Sequence, residues 1–173
     1  SLAGAGGVDL RAATLSTGSG GDSLYAGQVG GSGGLVKQGD SSFTLTGDNS
    51  YSGTTTVAQG TLRVGDGSSR GSLASTAFVL QGALAFDRSD AVTLAQPVSG
   101  TGTLVQAGTG TLMLAGHNKT YTGSTLVMAL ATLSSCIGRR RNGTAEPDGT
   151  TIFLQPRNSA SSAACANISR NAS

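Results

Sequence analysis

Gly33-Gly34-Leu35-Val36-Lys37-Gln38-Gly39 returns sixty-nine positions later as Gly102-Thr103-Leu104-Val105-Gln106-Ala107-Gly108. Further along, Phe43 and Leu45 become Leu112 and Leu114, and Asn49 becomes Asn118. One inserted residue then moves the offset to seventy, and Tyr51, Gly53, Thr55 and Val57 map onto Tyr121, Gly123, Thr125 and Val127. The two copies occupy residues 28–64 and 96–133. Such self-similarity signals a stacked array, in which each unit buries its apolar face only against a neighbour.

Between and within the copies, apolar residues alternate in short bursts: Phe43/Leu45, Leu62/Val64, Leu84/Phe86, Val92/Leu94 and Leu112/Leu114. Period-two alternation puts one row of side chains on a buried face and the next on the outside, as a half-buried strand requires. Turn residues separate the bursts, among them Gly39-Asp40, Gly47-Asp48-Asn49, Gly65-Asp66-Gly67 and Gly108-Thr109-Gly110. No window in residues 1–133 keeps a 3.6-residue apolar period, so no helix is expected there. Short, evenly spaced strands suit a sandwich, a barrel or a solenoid, and the long repeat selects the solenoid. The expected fold is all-β, a right-handed parallel β-helix of about six rungs over residues 1–133. At roughly 20–25 residues per rung and about 4.8 Å between strands, that array is about 30 Å long.

Composition agrees with this reading and removes others. The 173 residues carry a net charge of +2, with only 12% charged and 37% hydrophobic residues, unlike a disordered chain of high net charge and low hydrophobicity. Three Pro beside 28 Gly exclude collagen. The charge is split: residues 1–133 hold six basic and seven acidic side chains, and residues 134–173 five basic and two acidic. A nearly neutral array lacks the Lys/Arg clustering that nucleic-acid binding needs. The longest apolar run, Leu126 to Ala131, is far too short for a membrane helix, and the array has too few strands of about ten residues for an outer-membrane barrel. Ser1 opens the chain without a secretory leader, so a leader is expected to have been removed or to lie upstream.

The repeat pattern breaks after residue 128. Where the first copy has the corner Gly60, the second has Leu130, and the Gly65-Asp66-Gly67 turn has no counterpart. Residues 134–173 hold both cysteines, Cys136 and Cys165, two of the three prolines, and Arg139-Arg140-Arg141. This segment is read as an anomalous, disordered or artefactual tail in which Thr151-Ile152-Phe153-Leu154 is a candidate strand. The lack of Cys before it suits a chain that crosses an oxidising compartment unfolded, although chance explains it equally.

The phrases Gly33 to Gly39, Thr44-Leu45-Thr46-Gly47-Asp48-Asn49-Ser50-Tyr51-Ser52-Gly53, Thr54 to Gly67, Gly102 to Leu112 and Asn118 to Gly123 closely resemble the passenger-associated repeat of bacterial autotransporters. Gly82 to Asp90 looks like the linking rung of that family. The resemblance covers about residues 28–133, more loosely 1–27, and not the tail. It implies type V secretion in Gram-negative bacteria, in which a β-helical passenger passes an outer-membrane translocator barrel of the same precursor. Such a passenger is displayed at the cell surface or released. On this resemblance the chain is a stalk segment that aids export and folding and presents other domains. Alternatives are an adhesin surface for host or biofilm polymers, or the scaffold of a parent carrying a separate protease domain.

Catalytic chemistry finds little purchase, and no enzymatic activity, cofactor, metal or catalytic residue is expected. His117 is the single histidine and takes the turn position of Asp48 in the first copy, without triad partners. Cys136 and Cys165 have no second His and too few companions for zinc. Asp87 and Asp90 around Arg88 suggest acid/base chemistry or cation binding; acid/base work on a sugar needs two carboxyls at a set separation across the substrate, and a solvated corner explains the pair more simply. Thr17 to Tyr25 matches most of a calcium-binding nonapeptide but has no tandem copy. The glycines recur at turns without the Gly-Lys-Ser/Thr ending of a phosphate loop.

Overall fold

A computed structural model of the chain describes residues 2–115 and 120–128, together with strands at 132–135, 151–152 and 166–169. In chain order its strands begin with β1 (Val8–Asp9), β2 (Leu15–Thr17), β3 (Ser23–Tyr25), β4 (Val29–Gly30), β5 (Leu35–Lys37), β6 (Ser42–Leu45) and β7 (Asp48–Asn49). Then come β8 (Thr55–Val57), β9 (Thr61–Val64), β10 (Ser72–Leu73), β11 (Phe78–Leu80), β12 (Ala83–Phe86) and β13 (Val92–Leu94). The series ends with β14 (Val98–Gly100), β15 (Thr103–Gln106), β16 (Thr111–Leu114), β17 (Ser124–Val127), β18 (Thr132–Ser135), β19 (Thr151–Ile152) and β20 (Ala166–Ser169).

These strands wind as a parallel β-solenoid of about six turns. One face is a five-stranded sheet, β2-β5-β8-β11-β14, and a second is seven-stranded, β3-β6-β9-β12-β15-β17-β19. The third side is discontinuous: β1 with β4, β7 with β10, then β13-β16-β18 with β20 antiparallel at its edge. Leu35 pairs with Thr55, Thr55 with Phe78, and Phe78 with Val98, and each of these steps falls within the rung length expected from sequence. The sequence boundary between array and tail falls inside β18, and Thr151–Ile152 of the candidate strand pairs with β17.

The repeat relates to the coil in an unexpected way. Leu35 lies in the five-stranded face, whereas its counterpart Leu104 lies in the seven-stranded face. Phe43 belongs to the seven-stranded face, and its counterpart Leu112 to the third side. The residue three rungs above Leu35 is Val98, and Leu104 follows it only around the next corner. The second copy is thus displaced by three rungs and rotated onward by one face. Both copies nevertheless bury the same positions, because every face presents the same inward alternation.

The interior is one cluster of stacked columns. Phe43, Leu62, Leu84 and Leu104 occupy one in-register inward row, and Leu45, Val64 and Phe86 the next. Burying a side chain of this size contributes about 1.5–3 kcal/mol, which is how short strands with few charges hold together. At the corner between the five- and seven-stranded faces every rung places a glycine: Gly18, Gly39, Gly60, Gly82, Gly102 and Gly123. A Cβ on Gly39, Gly60 or Gly82 would fall 2.5 Å from the carbonyl oxygen of the glycine one rung earlier, and on Gly102 or Gly123 at 2.1 or 1.7 Å. That corner closes only without a side chain.

Candidate functional site

Two kinds of polar constellation stand out: groups sealed in the interior, and a charged cluster at one corner. Interior groups recur with the repeat. Lys37 follows Leu35 by two residues, so alternation turns it inward, and it is 0% exposed. Its ammonium donates to the carbonyls of Gln38 (2.8 Å), Gly39 (2.7 Å) and Gln59 (3.3 Å). Burial pulls its pKa below the usual lysine value, against the raising influence of Asp40 and Asp22. Its counterpart Gln106, 2% exposed, donates Nε2 to the carbonyls of Gly108 and Gly110 at 3.2 and 2.9 Å. In both copies an inward polar side chain ties down the carbonyls of the next corner.

Two further interior motifs act across rungs. Asn49 accepts from the Val29 amide at 3.0 Å and donates to the carbonyls of Gly47 and Ser72 at 2.8 and 3.1 Å, joining three successive rungs. The Tyr51 hydroxyl meets the Thr55 hydroxyl at 2.7 Å, which in turn meets that of Ser75. Tyr121 and Thr125 repeat the pair at 2.5 Å. Burial pushes the Tyr51 pKa up, partly offset by its hydrogen bonds with Ser75 and Thr55.

The charged cluster surrounds the loop between β9 and β10. Asp87, pointed to by sequence, pairs with Arg63 of the preceding rung at 3.1 Å. Arg88 grips Asp90 through Nε (2.8 Å) and Nη2 (2.6 Å), donates to Ser69 O at 2.9 Å, and also donates to Gly71 O. The Arg88 hydrogen bond holds the Asp90 pKa below the ordinary carboxylate value. Asp66 is lowered likewise by the hydroxyl of Ser68. Each of these carboxylates is engaged in an ion pair or turn, and the arrangement works as a clamp that fastens residues 69–71 to the next rung. Removing the guanidinium tests this: Arg88→Ala should raise proteolytic cleavage within residues 66–71 several-fold while shifting the global melting midpoint little, as local opening without global unfolding does. Limited proteolysis with mass mapping reads both outcomes.

In the calcium-like stretch, Asp22 Oδ1 accepts from the Ser42 amide of the next rung at 2.7 Å, and the Tyr25 ring is buried. His117, Cys136, Cys165 and Arg139-Arg140-Arg141 lie outside the described residues. Sequence reasoning passed over Lys37 and Gln106. Their signal was an unbroken alternation that carried a polar residue into the inward row.

The fold defines the class first, a parallel β-solenoid built on an internally repeated unit. Residues 35–64 and 104–129 match the family described as passenger-associated-transport-repeat. Over 86 residues the chain is 39% identical to the adhesin BmaC autotransporter of Brucella suis biovar 1 (strain 1330). That alignment takes in 47% of this chain and 2% of the relative, so the chain spans a small fraction of that protein's length. No solved structure gives a significant match. Both repeat copies, the β-solenoid that carries them and this relative support an autotransporter passenger domain.

Proposed function

We propose that this segment is a structural stalk, without catalysis of its own, in a passenger displayed on or released from a Gram-negative cell. Family membership implies a precursor whose outer-membrane translocator barrel carries the passenger out. The observation that supports a mechanical role is the inter-rung ladder, continuous along two faces, around a single core reinforced inside by Lys37, Asn49 and Gln106. Each rung laid down outside the cell gives the next an edge to pair with and a column to stack on, so folding draws the chain outward. Presentation of other domains follows from rigidity.

A second reading, an adhesive surface for host or biofilm polymers, draws support from the relative's description as an adhesin. Deleting residues 28–133 from the full-length precursor separates the two. Under the stalk reading, surface display measured by external protease accessibility falls several-fold, while adherence per displayed molecule is unchanged. Undiminished display with lost adherence would overturn it in favour of the adhesive reading.

A further inference from the structure

One strand breaks the rule of the coil. Every other pairing among the described strands is parallel, whereas β20 runs antiparallel along the edge of β18 that a further rung would take. Its register sets Thr132 against Ser169, Leu133 against Ile168, Ser134 against Asn167 and Ser135 against Ala166. β18 thus ends, and β20 begins, one residue short of the sequence's two cysteines, Cys136 and Cys165.

Carried one residue further, the same register places position 136 directly opposite position 165. We infer that Cys136 and Cys165 form a cross-strand disulfide that fastens β20 to β18. Directly opposite residues of an antiparallel pair have Cα atoms about 4.5 or about 5.5 Å apart, depending on whether they share the ladder hydrogen bonds, and a disulfide takes about 4.4–6.8 Å. Either kind of pair therefore admits the bond. A slip of one residue would instead put the two positions on opposite faces of the sheet, where it cannot close. With no third cysteine in the chain, no rival pairing competes inside it. Alternation also assigns the pair its side. Leu133 pairs with the fully buried Leu112 and Ser134 with the half-buried Met113, so position 136 falls in the row of Met113, outside the core row. An oxidant in solution reaches that row.

The chemistry is thiol–disulfide exchange with a low-molecular-weight or protein disulfide as oxidant. One cysteine thiolate attacks a sulfur of that disulfide and releases its first thiol. The second thiolate then attacks the mixed disulfide and releases the other. The two cysteines lose two electrons and two protons, which the oxidant carries away as two thiols. Export to the cell exterior, as proposed above, supplies a medium in which such a bond persists, but the bond itself rests on the register alone. Its consequence lies at the edge. A strand laid antiparallel on β18 blocks pairing with another chain only while it stays there, and a bond beside its first residue makes that cover redox-dependent.

The full chain, reduced and then exposed to oxidised glutathione, should pass from two titratable thiols to none while remaining monomeric, and non-reducing peptide mapping should recover Cys136 joined to Cys165. In a Cys136→Ser, Cys165→Ser background, Ser135→Cys with Ala166→Cys reads the register through an observed pair and should also cross-link within the chain. Ser134→Cys with Ala166→Cys, one step out of register, should do so at least about ten-fold more slowly. Reducing the wild type should speed amide exchange in β20 by about ten-fold or more, and the Cys136→Ser, Cys165→Ser chain should show the fast rate with or without oxidant. The inference is overturned if both thiols stay titratable, if the bond forms only between chains, if the out-of-register pair cross-links as fast as the in-register one, or if reduction leaves exchange in β20 unchanged.

Discussion

Gly102→Val should destabilise the fold by about 3 kcal/mol or more, whereas Gly21→Ala should stay within about 0.5 kcal/mol. Both substitutions add carbon to a glycine in a turn, but they meet different surroundings. A Cβ at Gly21 has nothing within 4 Å. At Gly102 it would lie 2.1 Å from Gly82 O and 2.9 Å from Leu80 C. Both obstacles are backbone, so no side chain can swing away. Gly82 O also accepts the Thr103 amide at 3.1 Å, so shifting it breaks a rung-to-rung hydrogen bond. The corner can relieve the collision only by spreading β11 from β14, which opens the core beneath Leu80 and Val98. Urea unfolding followed by far-ultraviolet circular dichroism measures the loss. A cost below about 1 kcal/mol for Gly102→Val would show that the corner has slack and that stacked carbonyls do not enforce glycine there.

The glycine column shows how unevenly this structure could be read from its sequence. Its members, Gly18 to Gly123, recur once per rung, yet they are scattered among 28 glycines, most of which serve other turns. Only the rung length sorts them. The same holds for the rotation of the second copy. An offset of sixty-nine says that the chain repeats, but the one-face turn emerges only when that offset is set against the length of a rung. Strands with purely apolar inward positions, Leu62/Val64 or Leu84/Phe86, were legible because hydrophobicity alone marks the inward row. Leu15–Thr17 and Ser23–Tyr25 were not, since Thr17 and Ser23 put polar atoms in that row. The partners of the Asp87–Arg88–Asp90 cluster were illegible for a different reason. Asp87 finds its partner in Arg63, one rung earlier, a separation that means nothing until the coil is wound.

Lys37 completes that lesson and carries the second large effect. A lysine in an otherwise apolar alternation looks like a place where a strand ends, but here its ammonium reaches three corner carbonyls from inside. Lys37→Met keeps the length and the apolar stem but removes every donor, so it should cost about 2–3 kcal/mol. Lys37→Gln should recover roughly half, because Gln106 shows that an amide at the equivalent position still reaches two carbonyls. In reverse, Gln106→Lys should be tolerated, since it replaces an amide whose Oε1 is buried without a partner. The pH dependence gives an independent reading. Burial lowers the Lys37 pKa in the fold, so between that value and 10.5 the unfolded chain holds a proton that the folded chain has released. Stability rises with pH wherever the unfolded state binds more protons. The margin of wild type over Lys37→Gln should therefore widen as pH climbs towards 10.5, the shared titration of the tyrosines cancelling between the two proteins. A margin that instead shrinks across this window would mean that the carbonyl cradle holds the proton more firmly than water does and outweighs burial.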